Sequence, residues 1–96
     1  MYGTVARLHV TAGAEEEIQR INDASAAIPG LVSSVVYRSD TDPQEYWLAV
    51  VFESKDAYRR NAESPEQNAR YEQLRALLDA EPEWHDGETV AQYPPR

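Results

Sequence analysis

Cysteine is absent from this 96-residue chain, which removes disulfides, thiolate nucleophiles and thiolate metal ligands and leaves the fold to be held by packing. Histidine occurs only as His9 and His85. Two imidazoles that far apart, without cysteine, form no ligand spacing, so no metal site is expected. Glycine is equally sparse: Gly3, Gly13, Gly30 and Gly87 are scattered, and no glycine-rich phosphate loop or dinucleotide fingerprint results. Nicotinamide or flavin in a Rossmann pocket is thereby excluded. Basic residues are also few, nine Lys+Arg against seventeen Asp+Glu, for a net charge of -8. Nucleic acid and anionic membrane surfaces share that sign and are poor partners; an uncharged or cationic ligand fits better. No apolar run approaches the roughly 20 residues needed to span a bilayer, and no basic segment precedes an apolar one at the N-terminus. The cytoplasm is the expected location.

What is present is a globular composition, 42% hydrophobic and 27% charged, with one domain expected over residues 1–96. Tyr2, Thr4, Ala6, Leu8 and Val10 alternate with Gly3, Val5, Arg7, His9 and Thr11, the period of a strand. Beyond Gly13, Ile18, Ile21, Ser25 and Ile28 recur at helical spacing behind the acidic first turn Glu15-Glu16-Glu17, and Pro29-Gly30 ends that helix. Leu31 to Ser39 and Glu45 to Glu53 read as two strands of a hairpin across Asp40-Thr41-Asp42-Pro43. Ser54 caps a short helix that carries Ala57, Tyr58 and Asn61. After a break at Ala62-Glu63, Ser64 is an N-cap, Pro65 the first helical residue and Gln67 the partner of a capping box. Tyr71, Leu74, Leu77 and Leu78 then form an inward stripe until Pro82. The tail from about Trp84 to Tyr93, with Thr89-Val90-Ala91-Gln92-Tyr93, reads as the last strand. This order predicts an α+β, ferredoxin-like βαββαβ fold with a four-stranded antiparallel sheet and its second helix broken in two.

Helices on one side of such a sheet leave the other side open to water. That face carries Val5, Arg7 and His9 from the first strand. A chain of this length buries only about 60–65% of its unfolded surface. A homodimer packed sheet on sheet, with Val5, Arg7 and His9 in the interface, is the expected remedy.

Tyr2-Gly3-Thr4-Val5-Ala6-Arg7, the stretch Trp47-Leu48-Ala49-Val50-Val51-Phe52-Glu53-Ser54 leading into Tyr58-Arg59-Arg60-Asn61-Ala62-Glu63-Ser64-Pro65-Glu66-Gln67, and the close Glu83-Trp84-His85-Asp86-Gly87-Glu88 resemble the antibiotic biosynthesis monooxygenase superfamily of dimeric αβ-barrel proteins. The likeness covers nearly the whole chain. It implies a ligand pocket inside each subunit, between sheet and helices, lined by Ala6 and Leu8 and closed over by the short helix and Tyr71. Its members include cofactor-free oxygenases of anthrones and quinols, heme-degrading enzymes and an epimerase. Where heme-degrading members have asparagine, tryptophan and histidine, this chain has Ala6, Asn61 and Tyr71, so heme degradation is disfavoured and no cofactor is expected. The cofactor-free oxygenases use an Asn/Trp/Tyr lining, which Asn61, Tyr58 and Tyr71 supply in part.

Asn61 is the leading catalytic candidate, because its spacing from Ala57 sets an amide on the inward face of a short helix. There it can donate to the oxygen of an enolate or phenolate, or simply bond local backbone. Tyr71 joins it as a catalytic candidate. Tyr58 can stack on a planar substrate, and Asn68, three residues before Tyr71, borders the same side. His9 with Arg7 can serve as a base or as part of an interface network. His85 lies in an Asp-Gly turn beside Trp84. The functional expectation is a cofactor-independent monooxygenase of a small phenol, quinol or anthrone. The alternatives are a binding or stress-response protein that holds a small hydrophobic or aromatic ligand without turnover, and an isomerase or epimerase relying on His9 or His85.

Overall fold

A computed structural model describes residues 1–95. Strand β1 (Tyr2–His9) is followed by helix α1 (Glu15–Ala24), strands β2 (Leu31–Arg38) and β3 (Glu45–Phe52), helices α2 (Lys55–Ala62) and α3 (Pro65–Arg75), and strand β4 (Glu83–Glu88). The strands form one antiparallel sheet in the order β2-β3-β1-β4. This is the ferredoxin-like arrangement, with its second helix split into α2 and α3. β1 is central and paired along both edges, so its alternation decides which side of the sheet is covered. Thr4, Ala6, Leu8 and Val10 are buried beneath the helices, and they meet Ile18 of α1, Tyr46 of β3 and Leu78 in the core.

The opposite face is open. Register aligns Val5 with Ala49 and Val35 in one row, and Arg7 with Trp47 and Tyr37 in the next. Val5, Val35, Tyr37 and Trp47 are all exposed. The row is bordered by a charged pair in which Arg7 Nε donates to Glu45 Oε2 at 2.9 Å and Nη2 lies 2.9 Å from the same oxygen, and Trp47 Nε1 donates to Glu45 Oε1 at 3.2 Å.

Local signals account for most boundaries. Ser54 and Ser64 cap α2 and α3, with their Oγ atoms accepting from the Ala57 and Gln67 amides at 3.0 and 3.1 Å; such caps are worth about 1 kcal/mol each. Gly30 turns the chain into β2 at φ +79°, and a Cβ there would stand 2.8 Å from the Ala57 Cβ, so only glycine lets α2 sit this close.

Four expectations are corrected. The first helix stops at Ala24 and tightens into a 3₁₀ turn over Ser25–Ala27, before Pro29. Helix α3 stops at Arg75, because Leu77 and Leu78 switch to tight bonds onto the Leu74 and Arg75 carbonyls. The Leu77 carbonyl then accepts from Thr11, and Leu78 bridges Val10. The capping box is half made: Gln67 gives its backbone N–H to Ser64, whereas its side chain turns elsewhere. The last strand is Glu83–Glu88 and does not reach Tyr93. Glu88 already faces Tyr2, the first residue of β1, so the ladder has no further partner beyond the bond from Thr89 N to Met1 O. Val90 and Tyr93 beyond it are 96% and 95% exposed.

Gly3 and Gly87 oppose each other across β1 and β4 but differ in surroundings. A Cβ at Gly3 would fall 1.9 Å from the Val50 carbonyl oxygen, while Gly87 has open space. Gly3→Ala is expected to lower the free energy of urea unfolding by about 2 kcal/mol or more, and Gly87→Ala to change it by less than about 0.5 kcal/mol. Equal losses would contradict the register.

Candidate functional site

Between α1, the following 3₁₀ turn, the inner faces of β2 and β3, and α3 lies a cavity of about 110 Å³. Leu8, Ile18, Ile21, Val50, Phe52 and Leu74 give it apolar walls. At about 110 Å³ it is smaller than the roughly 150 Å³ cavity that holds benzene, so even a one-ring ligand extends toward the opening. Acidic, basic, histidine and tyrosine side chains are missing from its lining. Of the polar residues there, Asn22 and Ser34 satisfy each other, with Ser34 Oγ donating to Asn22 Oδ1 at 2.7 Å and Asn22 Nδ2 to Ser34 O at 3.3 Å. Ser25 Oγ donates to Ile21 O at 3.4 Å. The remaining polar residues are Asn61 and Gln67.

Asn61 sits in the last turn of α2, where its carbonyl is occupied by Ser64: the backbone N–H and Oγ of Ser64 donate to it at 3.0 and 2.7 Å. Local backbone thus engages the Asn61 carbonyl and leaves its side chain for other partners. Asn61 Nδ2 donates to Gln67 Oε1 at 3.1 Å. Arg70 closes the triangle, with Nη2 donating to Asn61 Oδ1 at 2.9 Å and Nε to Gln67 Oε1 at 3.1 Å. Asn61 also borders a wider, more polar cleft of about 580 Å³ on the outer side, where Arg60, Arg70, Glu53 and Glu66 lie. The amide therefore stands at the wall between a mainly apolar cavity and a more polar cleft.

The other candidates are distributed differently. Leu8 lines the cavity, whereas Ala6 is wholly buried in the core. Tyr58 lies outside the cavity lining. It packs edge-on against Tyr2 and Phe52, with centroids 5.1 and 5.5 Å away, and donates to Asp86 Oδ1 at 3.0 Å. Burial, reinforced by that Asp86 carboxylate, pushes the Tyr58 phenol up to about 12, with Thr4 pulling weakly the other way. Tyr71 leans on Trp84, ring centroids 6.4 Å apart, over the edge strand β4, and Asn68 is exposed. Neither lines the cavity.

Val5, Arg7 and His9 lie on the outer side of β1. His9 Nδ1 meets Asp79 Oδ1 at 2.5 Å, and its Nε2 is 3.8 Å from Asp42 Oδ2. His85 Nε2 pairs with Glu83 Oε1 at 2.8 Å on the exposed β4. Neither imidazole lines the cavity, and among the described residues no cluster of three or more His, Cys, Asp or Glu is arranged to hold a metal. No helix among them is long and apolar enough to cross a membrane. Tyr46, buried and hydrogen-bonded to Glu15 Oε1 at 3.2 Å, has its phenol raised, chiefly by burial and then by the Glu15 charge.

Gln67 and Arg70 are the residues that sequence reasoning missed. The capping box absorbed Gln67, and Arg70 carried no signal beyond lying one turn after it. An i, i+3 amide–guanidinium pair at the start of a helix is the pattern that marks them.

Three comparisons with known proteins bear on the chain. The sequence profile of the antibiotic biosynthesis monooxygenase family matches residues 1–73. A search of curated proteins finds no match. Among solved structures, SnoaB of Streptomyces nogalater, a cofactor-independent oxygenase solved as an asparagine-to-alanine variant, aligns over 98% of this chain and 97% of its own at 24% identity and a TM-score of 0.82. Rv0793 of Mycobacterium tuberculosis aligns over 96% of this chain and 97% of its own, at 20% identity and a TM-score of 0.75. A conserved protein of Methanosarcina mazei aligns over 90% and 89%, at 16% identity and a TM-score of 0.75. At these identities the structural likeness is one of fold.

The Tyr58 phenol gives this region a pH signature. Its folded pKa of about 12 lies above the ordinary 10.0, so the stability tied to the protonated phenol is complete below pH 10 and is lost as pH rises through about 12. Tyr58→Phe is expected to flatten that part of an alkaline unfolding profile. Asp86→Asn is expected to lower the Tyr58 pKa in an ultraviolet titration of tyrosinate. An unchanged titration in Asp86→Asn would contradict the assigned contact.

Proposed function

The chain belongs to the antibiotic biosynthesis monooxygenase family, and from that membership and the geometry of its cavity we propose that it is a cofactor-independent monooxygenase of a small phenol, quinol or anthrone. The observation that carries the reading is Asn61, a side-chain amide at one end of a cavity with mainly apolar walls. In this account one ring of the substrate enters among Leu8, Ile18 and Phe52 and leaves water behind. Its oxygen accepts from Asn61 Nδ2 as negative charge builds up on it. The electron-rich anion then reacts with dioxygen. For an anthrone, the methylene loses two C–H bonds and gains C=O, one oxygen atom enters the product and the other leaves as water. The protein's part is to desolvate, orient and stabilise the anion. Tyr58, Tyr71 and Asn68 have no direct role in this account, because they lie outside the cavity lining.

The exposed row Val5, Val35, Tyr37 and Trp47 supports a homodimer packed sheet on sheet as the working form. A second reading rests on a specific observation, the absence of any acidic, basic, histidine or tyrosine side chain from the cavity lining. Without a built-in base, the same cavity can hold a small aromatic molecule and leave it unchanged. The isomerase alternative finds no support, since His9 and His85 are engaged with carboxylates outside the cavity.

Oxygen uptake by metal-free protein against a panel of anthrones and hydroquinones separates these readings. Uptake above the spontaneous rate is expected, falling by about 10²-fold in Asn61→Ala, the scale for losing one oxyanion donor in a dry site. Ligand binding without uptake, in both proteins, would favour the non-catalytic reading.

A further inference from the structure

The orientation of the two cavity amides is not arbitrary. A guanidinium carries only N–H donors, so the atoms it meets at 2.9 and 3.1 Å must be the carbonyl oxygens of Asn61 and Gln67. Gln67 Oε1 also receives Asn61 Nδ2, and two donors use both of its lone pairs. Gln67 Oε1 is thereby filled, and Asn61 Oδ1 is held by the Arg70 guanidinium. What remains is one N–H on Asn61 Nδ2 and both on Gln67 Nε2. The third amide on the cavity wall, Asn22, is paired with Ser34, whose Oγ donates to its Oδ1.

We propose that Arg70 is a positioning residue that turns the Asn61 and Gln67 amides donor-first, so that this end of the cavity receives the anion of a phenol or enol, with Gln67 as a second donor beside Asn61. The inference rests on the reading of the cavity as the substrate site. At this end a neutral phenol competes with the Arg70 guanidinium for the Asn61 oxygen and finds Gln67 Oε1 filled, whereas a phenolate accepts from the outward amide N–H groups. Arg70 lines the outer cleft and not the cavity, so its full charge lies directly behind the amides and takes up no ligand space. Hydrogen bonds to an ionised oxygen are roughly twice as strong as neutral ones, which favours the anion further. Arg60, Glu53 and Glu66 share the outer cleft, and Arg70 is hydrogen-bonded to both the Asn61 and Gln67 amides. The arrangement explains how a cavity without its own base can still work on an ionised substrate: binding itself draws the substrate toward its anion, and the proton leaves to solvent.

The test uses para-nitrophenol, a one-ring phenol whose anion absorbs visible light, titrated over pH with and without saturating intact protein. The bound midpoint is expected about one unit below the free one, equivalent to about a ten-fold preference for the anion. Arg70→Met should abolish the shift, and Arg70→Lys, which keeps the charge without the two-pronged geometry, should retain part of it. A purely structural role for Arg70 would weaken both forms equally and leave the midpoint of the bound fraction in place. Gln67→Glu keeps the shape and sets a carboxylate at the site, so it should reverse the preference; it decides the matter even where Arg70→Met does not fold. Wild-type protein that binds both forms equally overturns the inference while leaving the cavity as a ligand site. Binding of neither form refutes the cavity reading and the inference with it.

Discussion

The structure depends on the pairing of β1 along both of its edges. A central strand cannot slip register without moving every side chain to the other face, so its alternation decides at once where the core lies and which surface is left bare. Thr4, Ala6, Leu8 and Val10 go under the helices; Val5, Arg7 and His9 go outward. The helices cover the inner face unevenly. Between α1 and the sheet a cavity remains, bordered by Asn22, Ser25 and Ser34 as well as by larger apolar side chains. The same constraint thus produces an internal cavity and an exposed apolar row on the outer face.

Much of the fold was legible because it rests on local chemistry. The period-two pattern of β1, the Asp-rich turn before β3, and Ser54 and Ser64 as caps all act through neighbours in sequence. Errors fell where a distant partner decides. Leu77 and Leu78 continue a helical stripe in sequence, but they leave the helix to pair with Thr11 and Val10. Val90 to Tyr93 reads as a strand on β-propensity, yet β1 offers no backbone beyond its first residues. Propensity describes what a segment can do, and the length of its neighbour decides whether it does so.

The candidate site shows the same division. Asn61 could be picked out from its spacing on one short helix. Its partners could not, because Gln67 looked like a capping residue and the α2–α3 break hides the fold-back that brings Arg70 within 2.9 Å of Asn61. The tyrosines lie elsewhere: Tyr58 and Tyr71, on the same two helices, pack against Tyr2, Phe52 and Trp84 and outside the cavity lining. Strand order, which sequence alone does not reveal, determines which half of the sheet each helix covers.

The central claim is that ligand recognition happens at the Asn61–Gln67 end of the inner cavity. Side-chain amide resonances in a nitrogen-15 correlation spectrum, followed while a one-ring hydroquinone is added under anaerobic conditions, test it most directly. The account predicts saturable shifts of the Asn61 and Gln67 NH₂ pairs, with Asn68 unmoved. Shifts at Asn68 or along the outer face of β1, with Asn61 and Gln67 unchanged, would contradict it.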